Sequence, residues 1–126
     1  HIGTAREGVG AMIVSVLPFK LKPGAVPELG EVFASNRILE TAIQVEGCHT
    51  LVLASPDLAG DEAYVLGLWD DDEAYQRWMD HPDRGAATDD LLQLVAGDFD
   101  PTAPAGKWQV LRAIHDAEAA SGATGT

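Results

Sequence analysis

The chain of 126 residues has a single cysteine, and only eight lysine and arginine residues stand against 20 aspartates and glutamates. One cysteine cannot form an internal disulfide, so nothing in the sequence points to an oxidising compartment. The formal net charge of −12 argues against binding to nucleic-acid backbones and anionic membrane surfaces, because both attract cations. We therefore expect neither a nucleic acid nor a membrane as a partner.

Other features that mark particular protein classes are also missing. No apolar run approaches the length of a membrane span, and the first residues do not read as a signal peptide. There is no glycine-rich phosphate loop, no flavin or nicotinamide fingerprint, and no convincing metal-ligand spacing of His, Cys or acidic residues. We expect a soluble, cytoplasmic protein that uses no cofactor and binds no metal.

The chain does contain enough apolar residues for one core. Its hydrophobic fraction of 46% and its length are typical of a single globular domain. We expect this domain to cover residues 12–116. Residues 1–11 hold three glycines without periodicity and read as an extension or a cloning remnant, and residues 117–126 predict a flexible tail of small residues.

Hydrophobic periodicity and turn residues predict the element order β-α-β-β-α-β. Strands are expected over 12–20, 48–55, 62–69 and 108–115. Helices are expected over 25–46, which ends before Gly47, and over 74–80 and 84–95, which Pro82 separates. Two β-α-β crossovers would then form an α+β, ferredoxin-like fold, in which a four-stranded antiparallel sheet carries helices on one face.

The predicted strands are apolar on both faces. Ile13 and Leu17 lie on one face of the first strand, and Val14 and Val16 lie on the other. In a sheet with one face exposed to water, apolar and polar residues would instead alternate along the strand. The helices cover one face only, and the chain is too short to cover the second. We predict a homodimer that packs sheet against sheet. The alternative is a monomer with an exposed apolar sheet, which would be prone to aggregation.

Three stretches carry a family resemblance. They are Met-Ile-Val at 12–14 leading to Lys-Pro-Gly at 22–24, Glu-Gly-Cys at 46–48, and Leu-Trp-Asp-Asp-Asp-Glu-Ala-Tyr at 68–75 followed by His-Pro at 81–82. Together with the element order, they resemble the antibiotic biosynthesis monooxygenase family of dimeric α/β barrels, over about residues 12–115. Some members of that family oxidise anthrone-type aromatic polyketide intermediates with O2 and no cofactor. Others degrade haem, and relatives in the wider superfamily cyclise polyketides.

The resemblance implies a substrate cavity near the end of the third strand. Trp69 and Tyr75 match the Trp and Tyr that the anthrone-oxidising relatives place in this cavity. Val65 stands where those relatives have an Asn, which removes one polar group from the implied site. Strand parity places Val65, Gly67 and Trp69 on one face, and Gly67 leaves room beside Trp69 for a flat apolar ligand. The alternative is that both aromatic residues are core and that Gly67 admits a helix.

Haem binding is disfavoured by the same comparison. Trp78 resembles the Trp that contacts the macrocycle in the haem-degrading relatives. Their His ligand corresponds to Thr88, and their strand-one Asn corresponds to Leu17, so haem iron would lack its ligand. His81 or His49 could substitute for that ligand only in another geometry. Plain packing is the alternative role of Trp78.

Polar residues on the first helix and at element ends are further candidates. Asn36 lies on the apolar stripe that includes Phe33, with Glu40 one turn later. Asn36 could position a substrate oxygen and Glu40 could act as a base, or both could reach solvent where the helix overhangs the sheet. His81 has the better claim of the histidines to border the cavity, while strand-end and helix-end histidines such as His49 more often lie at the surface.

Two classes of function remain. The first is a cofactor-independent monooxygenase that oxidises a small aromatic or polyketide-type substrate with O2 in secondary metabolism. Trp69 and Trp78 would form walls, Tyr75 and Asn36 would donate hydrogen bonds, and His81 or Glu40 would accept a proton. Phe33, Val65, Gly67 and His49 would contact the substrate. The second is a polyketide cyclase or a small-ligand binding protein, haem included, of the same fold without oxygenase activity.

Overall fold

Four strands form one antiparallel sheet in the structure, a computed structural model that describes residues 11–101 and 103–114. The strands are β1 (Ile13–Lys20), β2 (Cys48–Ala54), β3 (Glu62–Trp69) and β4 (Gly106–Gln109), in the spatial order β2-β3-β1-β4. The helices are α1 (Val26–Ser35), α2 (Ile38–Ala42), α3 (Asp72–Met79) and α4 (Thr88–Leu92). The predicted ferredoxin-like fold class is confirmed.

The central strand pair sets the register of the whole sheet. β1 and β3 pair along their full lengths, from Ile13 opposite Trp69 to Lys20 opposite Glu62. Both strands are rich in β-branched and aromatic residues, which suit a pleated, buried surface. This register places Ser15 directly opposite Gly67. Cross-strand neighbours share a face, so the two residues lie side by side under the helices.

The core lies between the helices and one face of the sheet. Phe19 and Leu29 are almost fully buried there, and Phe19 packs edge-on against Phe33 with ring centroids 5.9 Å apart. A second cluster forms around Trp69 and Tyr75 at the other end of β3. Each large apolar side chain buried in this way stabilises the fold by about 1.5–3 kcal/mol. Leu17 contacts both clusters and links them.

The long first helix is interrupted, so the prediction of one helix over 25–46 is wrong. α1 ends at Ser35, and α2 begins after Arg37, whose backbone is left-handed with φ 51°. At this end of α1, the backbone N–H and the side-chain amide of Asn36 both donate to the Val32 carbonyl, at 3.1 and 3.0 Å, so the last helical bond is made before the chain turns at Arg37. No helix in the described part of the chain is long and apolar enough to cross a membrane.

The start of α3 follows the sequence expectation. The Asp71 carboxylate accepts a hydrogen bond from the Ala74 backbone N–H at 2.8 Å, so an acidic residue of the 70–73 run caps the helix. Asp72 and Glu73 lie in the first turn, where carboxylates interact favourably with the helix dipole.

The last two elements are displaced from their predicted bounds. α4 covers only Thr88–Leu92, because the residues before it form turns instead of helix. β4 covers Gly106–Gln109 instead of 108–115. It pairs with β1 from Val16 back to Ile13, and one further bond joins the Val110 N–H to the Met12 carbonyl, so the ladder ends where β1 begins. His115, the predicted end of this strand, lies outside the described residues.

The outer face of the sheet is apolar, as the strand pattern predicted. Val14 pairs with Leu68 on one side and Trp108 on the other, and these three residues therefore share the face that points away from the helices. The Trp108 side chain is 64% exposed and that of Val52 is 43% exposed. In the described residues, nothing covers this face.

Replacement of Arg37 tests the helix break. Arg37→Gly should be more stable than Arg37→Ala by about 1 kcal/mol, because a left-handed backbone costs an L-residue about 1–2 kcal/mol and glycine recovers part of that. The measurement is urea unfolding followed by circular dichroism. Glu31, exposed within α1, is the control: there glycine should be the less stable of the two replacements. Equal glycine effects at both positions would contradict the interruption.

Candidate functional site

A cavity of about 70 Å3 lies between the inner face of the sheet and the helices. Five residues that the sequence singled out line it. They come from three elements, of which β3 and α3 are consecutive and α1 lies about 30 residues earlier in the chain, so the site forms only when α1 packs on the sheet. They are Phe33 on α1, Val65 and Trp69 on β3, and Tyr75 and Trp78 on α3.

Asn36 and Glu40 lie outside this cavity, as in the alternative in which the helix overhangs the sheet. Because the helix breaks after α1, Asn36 becomes the residue that ends the helix and no longer a member of its buried stripe. Its side-chain amide donates to the Val32 carbonyl at 3.0 Å and to the Asp90 carboxylate at 3.3 Å. Glu40 is exposed on α2. Neither side chain faces the cavity.

The two described histidines also lie outside the cavity. His81 packs its ring against Trp78, with centroids 5.5 Å apart, and its Nδ1 accepts a hydrogen bond from the Asp83 N–H at 3.1 Å. It borders a separate surface groove together with Arg77. His49 is exposed where the pairing register between β2 and β3 shifts, between Cys48 and Thr50, and it pairs with Asp70.

Gly67 leaves room beside Trp69, but the room is filled by the Trp69 indole itself. A Cβ atom on Gly67 would lie 2.7 Å from Trp69 Nε1 and 2.9 Å from Ser15 Oγ. The indole therefore folds back across Gly67, and its N–H donates to Ser15 Oγ at 3.0 Å. Trp69 is 1% exposed and Ser15 is 4% exposed. Neither of the two roles expected for Gly67, a space for a ligand or for a helix, describes this packing.

Tyr75 packs beside this unit. Its ring stands edge-on to Trp69, with centroids 5.5 Å apart and an angle of 81° between the planes. Its hydroxyl accepts a hydrogen bond from the Ala105 backbone N–H at 2.8 Å. Lys107 Nζ lies 5.7 Å from the centre of the Tyr75 ring and also pairs with Asp72. These contacts hold the Tyr75 hydroxyl at the cavity wall.

Ser15 is the cavity residue that sequence reasoning missed. It is a polar residue on the otherwise apolar inner face of β1, between Ile13 and Leu17, and it is the buried polar side chain of the described core. The signal was present in the strand parity, since a serine on a buried face needs a hydrogen-bond partner. The sequence alone does not show that Ser15 lies opposite Gly67, because that pairing depends on the register between β1 and β3.

The cavity is narrow and, among the described residues, neither a carboxylate nor an imidazole lines it. Arg84 is the charged residue at its wall, and its Nη2 also donates to the Ala103 carbonyl at 3.4 Å. An engineered apolar cavity that admits benzene measures about 150 Å3. A ring-sized ligand therefore requires lining side chains to move. Trp78 is only half-buried and is the aromatic wall best placed to do so.

The cavity does not fit haem or a metal ion. Thr88 lines it where a haem ligand was considered, and its hydroxyl donates to the Gly85 carbonyl at 2.8 Å. Both described imidazoles lie outside. Across residues 11–101 and 103–114, no group of three or more His, Cys, Asp or Glu side chains could hold a metal.

Burial raises the pKa of Cys48 to about 11, so its thiol is protonated at neutral pH.

Alanine at position 67 tests the packing of the indole. Gly67→Ala should lower the free energy of unfolding by about 1–3 kcal/mol, because the new methyl group overlaps two buried side chains. Urea unfolding measures the loss, and the near-ultraviolet circular dichroism of Trp69 should change as well. Gly30→Ala is the matched control, since a Cβ there meets nothing within 4 Å and alanine favours the helix. Equal effects at the two glycines would refute the account.

Solved structures share this fold at low identity. SnoaB, a cofactor-independent oxygenase from Streptomyces nogalater, is 17% identical with a TM-score of 0.64, covering 84% of this chain and 99% of that chain. A protein of unknown function from Nitrosomonas europaea is 18% identical with a TM-score of 0.63, covering 87% and 98%. A conserved protein from Methanosarcina mazei Go1 is 14% identical with a TM-score of 0.65, covering 82% and 96%.

Sequence comparison identifies the family more directly than these distant structures do. No curated protein sequence matches the chain. Residues 12–90, more than half of the chain, match the model of one family, and the match ends within α4, so it includes every predicted cavity residue. The chain belongs to the antibiotic biosynthesis monooxygenase family.

Proposed function

We propose that this chain is a cofactor-independent monooxygenase that oxidises a small phenolic or polyketide-type aromatic compound with O2 in secondary metabolism. The observation that carries the proposal is the apolar cavity, in which Trp69 and Trp78 form walls and the buried Tyr75 hydroxyl stands beside them. The family membership and the likeness to SnoaB support the same reaction class.

The reaction balances without an external reductant. A ring methylene flanked by aromatic rings loses a proton to give a delocalised carbanion, which passes an electron to O2. Recombination and loss of water then leave a ring carbonyl. One methylene group and one O2 molecule thus give one carbonyl group and one water molecule, and the substrate supplies all the electrons. The protein has to exclude water and stabilise the anion, which aromatic walls and hydroxyl donors can do.

The lining also bears on where the first proton goes. Because no carboxylate or imidazole lines the described cavity, His81 and Glu40 are not placed to remove it. The proposal therefore favours substrates acidic enough to lose this proton to the solvent before the cavity closes around them. Arg84 at the wall would stabilise the anion.

Binding without turnover is the second candidate, and the lack of a carboxylate or an imidazole in the described lining favours it. In either case the lining has to open, because about 70 Å3 is small against the ~300–1,000 Å3 of most ligand pockets. A polyketide cyclase has less support, since it would need an acid–base pair in the cavity. Oxygen uptake separates binding from oxidation.

Oxygen consumption with 1,8-dihydroxyanthrone tests the oxygenase. Chelator-treated protein should consume one O2 for each anthraquinone formed. Tyr75→Phe should lower kcat/KM by about 10- to 100-fold, because one hydrogen bond to an anionic oxygen is worth about 1.5–3 kcal/mol. The control is Tyr64→Phe, the other tyrosine, which lies on the outer face of the sheet. No uptake with a panel of anthrones and quinols would refute the oxygenase.

We infer that two copies of the chain pack sheet against sheet. The outer face is continuous across all four strands, from Val52 on β2 to Trp108 on β4, and it carries large apolar side chains that water would otherwise surround. A second copy presents the same apolar face, so the pairing is self-complementary. Acidic residues such as the helix-capping Asp71 and its neighbours in α3 lie away from this face.

A charge on the outer face should separate the copies. Val52→Lys is expected to raise the dimer dissociation constant by about 10-fold or more, because the ammonium group would be buried without a partner. Sedimentation velocity over a range of concentrations measures it. Leu92→Lys is the control, because Leu92 is 49% exposed on α4 in the helix layer. A wild-type chain that sediments as a monomer at all concentrations would contradict the pairing.

A further inference from the structure

The Ser15 hydroxyl has one hydrogen-bonding role filled and one open. Its oxygen accepts from the Trp69 indole N–H at 3.0 Å, and the side chain is 4% exposed. Among the described residues, no atom accepts the proton of this hydroxyl. A buried O–H without an acceptor costs free energy, so its direction is set by whatever occupies the cavity that Ser15 lines.

The Tyr75 hydroxyl also accepts one hydrogen bond and has no described acceptor for its proton. Its oxygen accepts from the Ala105 backbone N–H at 2.8 Å, Tyr75 is 5% exposed, and no described residue accepts its proton. Ser15 lies on the floor of the cavity, on β1, and Tyr75 lies on its wall, on α3. Both N–H groups that donate to the hydroxyl oxygens belong to buried residues, so water does not compete for these two bonds.

We propose that Ser15 is a specificity-determining residue, and that its hydroxyl and that of Tyr75 are paired donors to the oxygen atoms of a ring-bound ketone or phenolate. Each hydroxyl oxygen already accepts one N–H, and each hydroxyl proton still lacks an acceptor among the described residues, so donation to the ligand would complete both groups. Donation by the Trp69 N–H also polarises the Ser15 hydroxyl and strengthens its own bond. This inference rests on the proposed function, since it names which aromatic compounds the cavity accepts.

In this arrangement Trp69 positions Ser15 in addition to forming a wall of the cavity. Its indole N–H is already bound to Ser15, so the ring can offer the ligand its face while its N–H positions the serine. Gly67 makes the bond possible, because a side chain there would separate the indole from Ser15 Oγ. The guanidinium of Arg84 also lines this cavity, where it would interact favourably with ligand oxygens that carry negative charge.

Binding of 1-tetralone and tetralin, which differ mainly in one carbonyl oxygen, tests the proposal without any oxidation. By calorimetry, the wild type should bind 1-tetralone about 3- to 10-fold more tightly than tetralin, the gain expected for a hydrogen bond. Ser15→Ala should remove most of that preference while the affinity for tetralin stays within about twofold of the wild type. Ser35→Ala, an exposed serine at the end of α1, is the control.

The carbonyl stretching frequency of 13C-labelled 1-tetralone gives a readout that a purely structural role would not move. It should fall on binding to the wild type and fall less in Ser15→Ala. If Ser15→Ala does not fold, the wild-type preference and frequency decide the question, with Ser15→Cys, a weaker donor of similar size, as the second variant.

Equal affinity for the two compounds, or binding of neither up to their solubility limits, would overturn the proposal. Equal losses for both compounds in Ser15→Ala would overturn it too, because they would mean that Ser15 only holds Trp69. Because no O2 is consumed, these outcomes are distinct from a failure of the oxygenase assay.

Discussion

The hydrogen bond from the Trp69 indole to Ser15, made across the empty position of Gly67, is the contact on which the cavity depends. It requires the full β1–β3 register, which places Ser15 opposite Gly67. It fixes the plane of the indole, and Tyr75 then packs edge-on against that plane. The position of the indole at the cavity wall and its bond to the Ser15 oxygen therefore follow from one missing side chain.

The molecule keeps its charge and its cavity apart. Acidic side chains cap α3, lie in loops or pair with exposed cations, as Glu62 does with Lys20. The described cavity, in contrast, contains one cation and no carboxylate among its lining residues. The charge of −12 thus bears on the solubility of the protein, whereas the ligand meets aromatic rings and hydroxyl donors. An anion inside the cavity would be spared repulsion from acidic lining residues.

Some of the candidate site was predictable, and the reasons are local. Trp69 and Tyr75 could be found because both lie in one short stretch, 68–75, that resembles a motif of the family, where a strand end, an acidic N-cap and the first turn of a helix follow one another. Asn36 was misplaced because helical periodicity assumes a continuous helix, whereas the chain takes a left-handed turn at Arg37, directly after Asn36. Ser15 was missed because its partner lies 54 residues away.

The sequence by itself determined the order of the elements, the apolar character of both sheet faces and the family, because periodicity and short motifs are properties of neighbouring residues. Only the tertiary structure decided that the space beside Gly67 belongs to Trp69, that the described histidines stand outside the cavity, and that Ser15 and Tyr75 line the same cavity. Those outcomes depend on register and packing between distant segments, where a shift of one residue would turn every side chain of a strand to the other face.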